Sequence, residues 1–183
     1  MVRAFIALPV SDLLRSELTV MSRCIEATDK KGCWRLVPAD NFHLTLAFLG
    51  DVDHSMIQLL GDEMARRFKH SRRGQIELAE VGLFPFNRKP KLIVALLKPT
   101  DWLMDLYQSV QQMLTSLGLS VDKKSSFKPH VTLARLRDKY GKAGRFEPQM
   151  TTGSFKADQL VLYQSELKGK HPLYTLLYGM RLV

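Results

Sequence analysis

Hydrophobic residues follow two rhythms along the chain, and these rhythms separate helices from strands. Apolar residues recur every three to four positions in three stretches that each open with a capping Ser or Asp: Ser11 to Ala27, Asp53 to Lys69 and Asp101 to Leu117. Alternating or β-branched apolar runs predict strands at Arg3 to Leu8, Trp34 to Val37, His43 to Leu49, Gln75 to Val81, Leu92 to Leu96, His130 to Leu136, Gln159 to Tyr163 and Tyr174 to Leu182. This irregular mixture predicts the α+β class.

The breaks between these elements are short, which favours a single domain spanning residues 1–183. Gly and Pro mark loops at 82–90 and 141–148, but neither loop is long enough to separate two independent domains. A chain of 183 residues can close its own hydrophobic core. Cys24 and Cys33 form no CxxC pair, so we expect both to be reduced and to bind no zinc.

One segment of the chain is repeated at a distance close to half its length. His43 and Thr45 lie in the sequence HLTLA, and His130 and Thr132 lie in HVTLA, 130 − 43 = 87 residues later. Such self-similarity predicts two related lobes, each carrying one HxTx motif. A single HxT in a strand is more often structural than catalytic, but two matched copies favour a shared site.

The repeated residues suit acid and base catalysis at phosphorus. Residues i and i+2 of a strand share a face, so His43 and Thr45 project together, as do His130 and Thr132. The pKa of imidazole lies near 6.5, so one ring can accept a proton while the other donates one. Threonine hydroxyls would bind the non-bridging phosphate oxygens and stabilise the transition state. Two such motifs meeting in one cleft would open a cyclic phosphodiester.

Charge and missing motifs narrow the possible partners. Lys and Arg number 27 against 18 Asp and Glu, a net charge of +9 that favours nucleic-acid phosphates, although any single basic cluster is as readily a solvated helix face. No membrane-spanning apolar run or secretory leader is visible, which predicts a cytoplasmic protein with no membrane partner. We find no HExxH, aspartate-rich or GxxxxGK[ST] motif, and so expect no metal or other cofactor. The other histidines, His54, His70 and His171, are predicted to be surface residues.

Several segments together resemble a known family. They are RAFIAL at 3–8, PADNFHLTLAFLG at 38–50, FKPHVTLAR at 127–135, LYQSEL at 162–167 and PLY at 172–174. In these segments the chain resembles the bacterial and archaeal RNA 2',3'-cyclic phosphodiesterases, formerly called 2'-5' RNA ligases, of the two-histidine phosphoesterase superfamily. The resemblance implies a bilobal fold in which two antiparallel sheets, related by a pseudo-twofold axis, face a central groove with the helices outside.

The resemblance also implies a reaction and a set of site residues. A terminal 2',3'-cyclic phosphate would be hydrolysed to a 2'-phosphate, with His43 as proton donor to O3' and His130 as proton acceptor from water. The reverse reaction would join RNA ends by a 2'-5' linkage without ATP. Arg135 matches a phosphate-binding arginine of the family. Strict alternation, however, places its side chain on the other face of the strand from His130, unless the strand bulges. Further possible RNA contacts are Lys128, Phe127, Trp34, Tyr163 and Tyr174. We expect a monomer without an obligatory protein partner.

Two other functions are compatible with the same residues. The first is a two-histidine phosphodiesterase of small cyclic nucleotides, 2'-5' oligoadenylate or ADP-ribose cyclic phosphate, against which the basic charge argues. Faster turnover of 2',3'-cyclic AMP than of a cyclic-phosphate RNA end would favour it. The second is a non-catalytic RNA-binding module, against which the four intact His and Thr residues argue. Unchanged activity after replacement of either histidine would favour that module.

Overall fold

The fold is built from nine strands and three helices in the part of the chain that the structure, a computed structural model, describes: residues 1–86, 89–119, 127–137, 146 and 149–183. The strands are β1 Val2–Pro9, β2 Trp34–Leu36, β3 His43–Val52, β4 Gly74–Phe84, β5 Leu92–Leu97, β6 His130–Leu136, β7 Gln149–Ala157, β8 Gln159–Lys168 and β9 His171–Arg181. The helices are α1 Asp12–Thr28, α2 His54–Phe68 and α3 Asp101–Ser116. A short 3-10 turn, Ala39–Asn41, precedes β3.

The strands form one antiparallel sheet, and its two halves correspond to each other on either side of the junction between β6 and β3. The order is β7-β4-β5-β6-β3-β1-β8-β9, with β2 added beside β6. The β3 and β6 strands, which carry the two HxT motifs, therefore occupy the centre, and only Leu44 and Val131 pair across their junction. The two sheets expected from the sequence are thus the two halves of a single sheet that is narrow at the middle. This confirms the α+β class and brings both motifs to the axis between the halves.

The helices cover one face of the sheet because each presents an apolar stripe to it. Leu14 and Leu18 of α1 and Leu103 of α3 are fully buried in the same core as Ile6 and Leu133 of the sheet. Burial of a leucine side chain of this kind stabilises the fold by about 1.5–3 kcal/mol. The opposite face carries a separate small cluster of Phe5, Ala7 and Val161, against which Tyr163 and Tyr174 pack. Since β1 alternates between these two clusters, the face with Phe5 is the one left uncovered by the helices.

Of the three predicted helix caps, only that of α1 agrees fully with its sequence signal. Ser11 Oγ accepts a hydrogen bond from the Leu14 N–H at 3.3 Å and caps α1, as expected. Helix α3 is capped by the residue before Asp101: Thr100 Oγ1 accepts from the Leu103 N–H at 3.4 Å. Helix α2 begins after Asp53, whose side chain makes no capping hydrogen bond. The predicted helices all exist, with ends shifted by at most one residue.

Other differences concern the strands and loops. Strand β7 was not predicted, because its sequence QMTTGSFKA is mostly polar and lacks clear alternation. Strand β4 continues to Phe84, into the predicted 82–90 loop, and β8 extends beyond Tyr163 to Lys168. Apart from Phe146, the predicted 141–148 loop lies outside the described residues. Cys24 is exposed, Cys33 is buried and both are free, as expected.

Candidate active site

The four repeated residues lie on neighbouring strands at the centre of the sheet. Leu44 and Val131 are opposite each other across the β3–β6 junction and are both buried beneath the helices. Their sequence neighbours point to the uncovered face, where His43, Thr45, His130 and Thr132 are all half-buried. The antiparallel register puts His43 across from Thr132 and Thr45 across from His130. The fold therefore brings together the two motifs that were expected to share a cleft.

Both imidazoles are held by the same backbone contact. His43 Nδ1 lies 2.7 Å from the carbonyl oxygen of Asn41, and His130 Nδ1 lies 2.7 Å from that of Lys128. A carbonyl oxygen only accepts hydrogen bonds, so each neutral ring carries its proton on Nδ1 and leaves Nε2 free. In each motif the ring is fixed by the residue two positions before it. Nε2 is thus the atom of each histidine available for proton transfer.

Aromatic rings pack against both histidines. Two of these rings, Phe5 and Phe84, were not among the residues expected at the site. Phe5 lies 4.8 Å from His43 between ring centroids, and Tyr174 meets the same imidazole edge-on at 5.2 Å. Phe84 stacks on His130 at 4.7 Å with a 27° angle between the planes. For Phe5 a signal was available, since alternation along β1 separates it from buried Ala4 and Ile6. These contacts restrict how far either imidazole can turn.

The surroundings of both histidines favour the neutral imidazole. Burial lowers the pKa of His43 to about 4, against the Asn41 carbonyl, which raises it, and the positive charges of Arg135 and His130 lower it further. Burial also lowers the pKa of His130, opposed by the Lys128 carbonyl and aided by Arg135. An anion bound between the rings would have the opposite effect, since a nearby negative charge stabilises the protonated imidazole. The cleft is therefore arranged to gain protons when it gains a phosphate.

Arg135 reaches the same cleft because β6 contains a bulge. Thr132 pairs with Val94 and Ala134 with Ile93 on β5, which leaves Leu133 as an extra residue. Leu133 and Ala134 are consecutively buried, and Arg135 returns to the face of Thr132. It lines one cleft with His43 and Thr132. Burial raises the pKa of Tyr174, and the charge of Arg135 and its hydrogen bond to this tyrosine oppose that rise. Arg135 was expected to share the face of His130 only if β6 bulged, and β6 contains that bulge.

A corresponding bulge in β3 exposes a phenylalanine at the position that matches Arg135 in β6. Thr45 pairs with Ala7 and Ala47 with Ile6 on β1, so Leu46 is the extra residue. Phe48 then emerges on the uncovered face, opposite Phe5 in the register, with its ring 6.1 Å from that of Phe5 and 74% of its surface exposed. Phe48 follows His43 by five residues, as Arg135 follows His130. Alignment of the two repeats could have revealed this correspondence.

The remaining candidates divide between the cleft and the core. Tyr163 and Tyr174 lie on the uncovered face, 5.4 and 5.0 Å from Phe5. Lys128 is exposed and holds its Nζ 5.8 Å above the ring of Phe86. Trp34 requires a correction, because it is only 8% exposed and belongs to the hydrophobic core. Phe127 is half-buried, packs against the same core and stacks on Tyr107 of α3 at 4.0 Å with a 2° angle between the rings.

The other three histidines differ in their positions. His54 and His70 are exposed, as predicted. His171 is half-buried at the start of β9 and lines the cleft, contrary to its assignment as a simple surface residue. The cleft is lined by His43, Thr132, Arg135, Arg35, His171 and Tyr174, among others. Within the described ranges, no three His, Cys, Asp or Glu side chains are grouped to hold a metal, and no helix has the length and hydropathy to cross a membrane.

Comparison with known proteins identifies the family of the chain. The model of the LigT-like phosphoesterase family matches residues 8–94. The RNA 2',3'-cyclic phosphodiesterase of Thermotoga maritima is 30% identical over 182 residues, which cover 96% of this chain and 93% of that protein. The chain belongs to the LigT-like phosphoesterase family. Two solved structures also resemble it, each at 25% identity. TT0787 of Thermus thermophilus has a TM-score of 0.86 and covers 98% of this chain and 97% of its own; Escherichia coli LigT complexed with 3'-AMP has a TM-score of 0.78 and covers 99% and 98%.

Proposed function

We propose that this LigT-like phosphoesterase hydrolyses the 2',3'-cyclic phosphate at an RNA end to a 2'-phosphomonoester. The observation that carries the proposal is the matched pair of imidazoles, each with Nδ1 bound to a backbone carbonyl and Nε2 free, on the two central strands. The known relatives named RNA 2',3'-cyclic phosphodiesterase support the same reaction. Residues 1–183 would act as one domain of two lobes, each supplying one histidine, without an obligatory protein partner.

The proposed chemistry needs two proton transfers and no cofactor. Nε2 of His130 takes a proton from water as the water oxygen attacks phosphorus. Nε2 of protonated His43 gives its proton to O3' as the P–O3' bond breaks, which leaves a 3'-hydroxyl and a 2'-phosphate. This assignment follows the family resemblance, because the two histidines have matching backbone contacts. If the 5'-hydroxyl of another strand took the place of water, its oxygen would attack the cyclic phosphate, the P–O3' bond would break and O3' would take the proton of His43. The product would be a 2'-5' linkage formed without ATP.

The residues around the histidines would bind the phosphate. Thr45 and Thr132 offer hydroxyl donors on the same face, and Arg135 brings a positive charge to the same cleft. In the free protein that charge lowers the pKa of both imidazoles. A bound phosphodiester would offset it and raise the pKa of the histidine that must donate. Substrate binding would in this way create the acid that the reaction requires.

RNA is the favoured substrate because charge and aromatic surface occur together. The net charge is +9, and Tyr163, Tyr174 and Phe48 lie on the uncovered face beside the cleft, where a nucleobase could stack. Lys128 beside Phe86 provides a cation on the other half of the sheet. The complex of Escherichia coli LigT with 3'-AMP supports a nucleoside phosphate as the ligand.

The test is hydrolysis of a short RNA that ends in a 2',3'-cyclic phosphate, in the presence of EDTA. We expect a 2'-phosphate product, identified by chromatography against 2'- and 3'-phosphate standards. His43→Ala and His130→Ala should each lower kcat by about 10²- to 10⁴-fold, whereas His54→Ala, at an exposed site on α2, should retain full activity. A 3'-phosphate product, loss of activity with EDTA, or active His43 and His130 variants would each refute the proposal.

A further inference from the structure

A second arginine, which the sequence analysis did not single out, stands beside Arg135. Arg35 of β2 is directly opposite Arg135 of β6 in the antiparallel register. Residues directly opposite each other project to the same face of a sheet. Both side chains are exposed, and both line the cleft that contains His43 and Thr132. The cleft therefore holds two neighbouring guanidinium groups.

This pair carries two positive charges, and within the described ranges none of the ion pairs includes Arg35 or Arg135. Like charges directly opposite each other in a sheet repel and destabilise it. A guanidinium group binds a phosphate through two parallel hydrogen bonds, and a phosphate would remove this repulsion. The arrangement is that of an anion site.

The two arginines differ in their relation to the histidines. The charge of Arg135 lowers the pKa of both His43 and His130, whereas Arg35 is not among the causes of either shift. Arg135 shares strand β6 with His130, whereas Arg35 belongs to the neighbouring strand β2. Positive charge is thus available on a second strand for another phosphate next to the reacting one.

The side of the cleft next to Arg35 is connected by hydrogen bonds to the start of β3. Asn41 Nδ2 donates a hydrogen bond to the carbonyl oxygen of Pro172 at 2.9 Å, and the Asn41 carbonyl accepts from His43 Nδ1. Pro172 and its neighbour His171 line the same cleft as Arg35. A phosphate held at Arg35 would consequently have a fixed position relative to the His43 imidazole. Such a fixed spacing suits two successive phosphates of one strand.

We propose that Arg35 binds the phosphate on the 5' side of the terminal nucleotide while the cyclic phosphate lies between the histidines. This inference rests on the proposed function and names the feature of the substrate that Arg35 recognises. Arg135, which stands between the two positions, would contact either phosphate. A nucleoside 2',3'-cyclic phosphate has no 5'-phosphate and would leave Arg35 unused. Arg35 is accordingly a specificity-determining residue that favours an RNA strand over a bare nucleoside.

Three substrates separate this role from a purely structural one. They are adenosine 2',3'-cyclic phosphate, the same nucleotide with a 5'-phosphate, and the dinucleotide ApA ending in a 2',3'-cyclic phosphate. For the unmodified protein we expect a higher kcat/KM on the second and third substrates than on the first. Arg35→Gln should lower kcat/KM on those two by about 10- to 100-fold, mainly through KM, and leave the first within twofold. Arg35→Lys should have an intermediate effect, because Lys keeps the charge and loses the two-pronged geometry.

The controls concern folding and charge. Arg181→Gln removes one positive charge at an exposed position of β9 outside the cleft and should change none of the three rates. The Tm of Arg35→Gln should be no lower than that of the unmodified protein, because the substitution relieves repulsion from Arg135. Equal losses on all three substrates, or no loss on any, would overturn the role of Arg35. Failure of the unmodified protein to hydrolyse any of the three would instead overturn the proposed function itself.

Discussion

The environment of His43 should make the fold sensitive to acid in a defined pH range. In an unfolded chain the pKa of histidine is about 6.5, whereas burial lowers it to about 4 in the folded protein. The folded state therefore binds this proton more weakly than the unfolded state does. The contribution of neutral His43 to stability is complete above pH 6.5, is lost progressively as the pH falls toward 4, and does not change further below that.

The size of this effect follows from the two pKa values. Each tenfold difference in proton affinity corresponds to about 1.4 kcal/mol, so the interval from 6.5 to about 4 gives at most about 3 kcal/mol. Between pH 7.5 and pH 4.5 the expected loss from this residue is about 2 kcal/mol. That is a large part of the stability of a typical domain, which is only about 5–15 kcal/mol.

Urea unfolding at pH 7.5, 5.5 and 4.5 measures the effect as a difference between variants. His43→Asn removes the titrating ring, and we expect its free energy of unfolding to fall by about 2 kcal/mol less than that of the unmodified protein over this range. Thr45→Val changes the same face of β3 without removing a titrating group, so it should keep the full loss. Identical pH dependence in His43→Asn and the unmodified protein would show that His43 is not held neutral in the fold.

Three further predictions concern activity on a cyclic-phosphate RNA. First, kcat/KM should fall as the pH rises above about 6.5, because one imidazole must be protonated and both pKa values lie below the ordinary value of 6.5; a rate that rises from pH 6.5 to 8 would contradict this. Second, Arg135→Gln should lower the rate and also move this decline to higher pH, since the charge of Arg135 lowers both pKa values; a lower rate with an unmoved profile would argue against the electrostatic role. Third, Phe48→Ala should lower kcat/KM on an oligonucleotide by about 5- to 100-fold, the range of one base–aromatic stack, while Phe48→Tyr should retain most activity; equal rates in all three proteins would exclude stacking there.

Much of this fold was accessible from local patterns. Apolar spacing and capping residues located all three helices, because an amphipathic helix repeats its buried positions within a few turns. The repeated HxT located the centre of the sheet, because the two copies occupy equivalent strands, β3 and β6. Strand β7 was missed, since this strand, which pairs with β4 at the edge of the sheet, has too few large apolar residues to mark its buried side.

The rest of the candidate site depends on contacts between distant segments. Arg35 and Arg135 meet only because β2 pairs with β6, a contact between residues 100 positions apart that no local spacing announces. Trp34 and Phe127 were plausible stacking residues, yet the same large apolar rings that attract a base also fill a core. An aromatic residue in the sequence therefore indicates a buried or a binding position equally well. Only the direction of its strand and its neighbours decides between them.

The two halves of the sheet each contain a β-bulge but differ in the residue that the bulge exposes, and under the proposed function this difference would give the site a direction. A bulge at Leu46 and another at Leu133 bring the fifth residue after each histidine back to the uncovered face. One half presents Phe48 there and the other presents Arg135. A cyclic nucleotide end is itself unsymmetrical, with a charged phosphate on one side and a flat base on the other. A site with two equal halves would bind it in two opposite orientations, of which only one would put O3' beside the proposed proton donor. A charge in one half and an aromatic ring in the other would favour one orientation, so that two histidines with the same backbone contacts could take different roles.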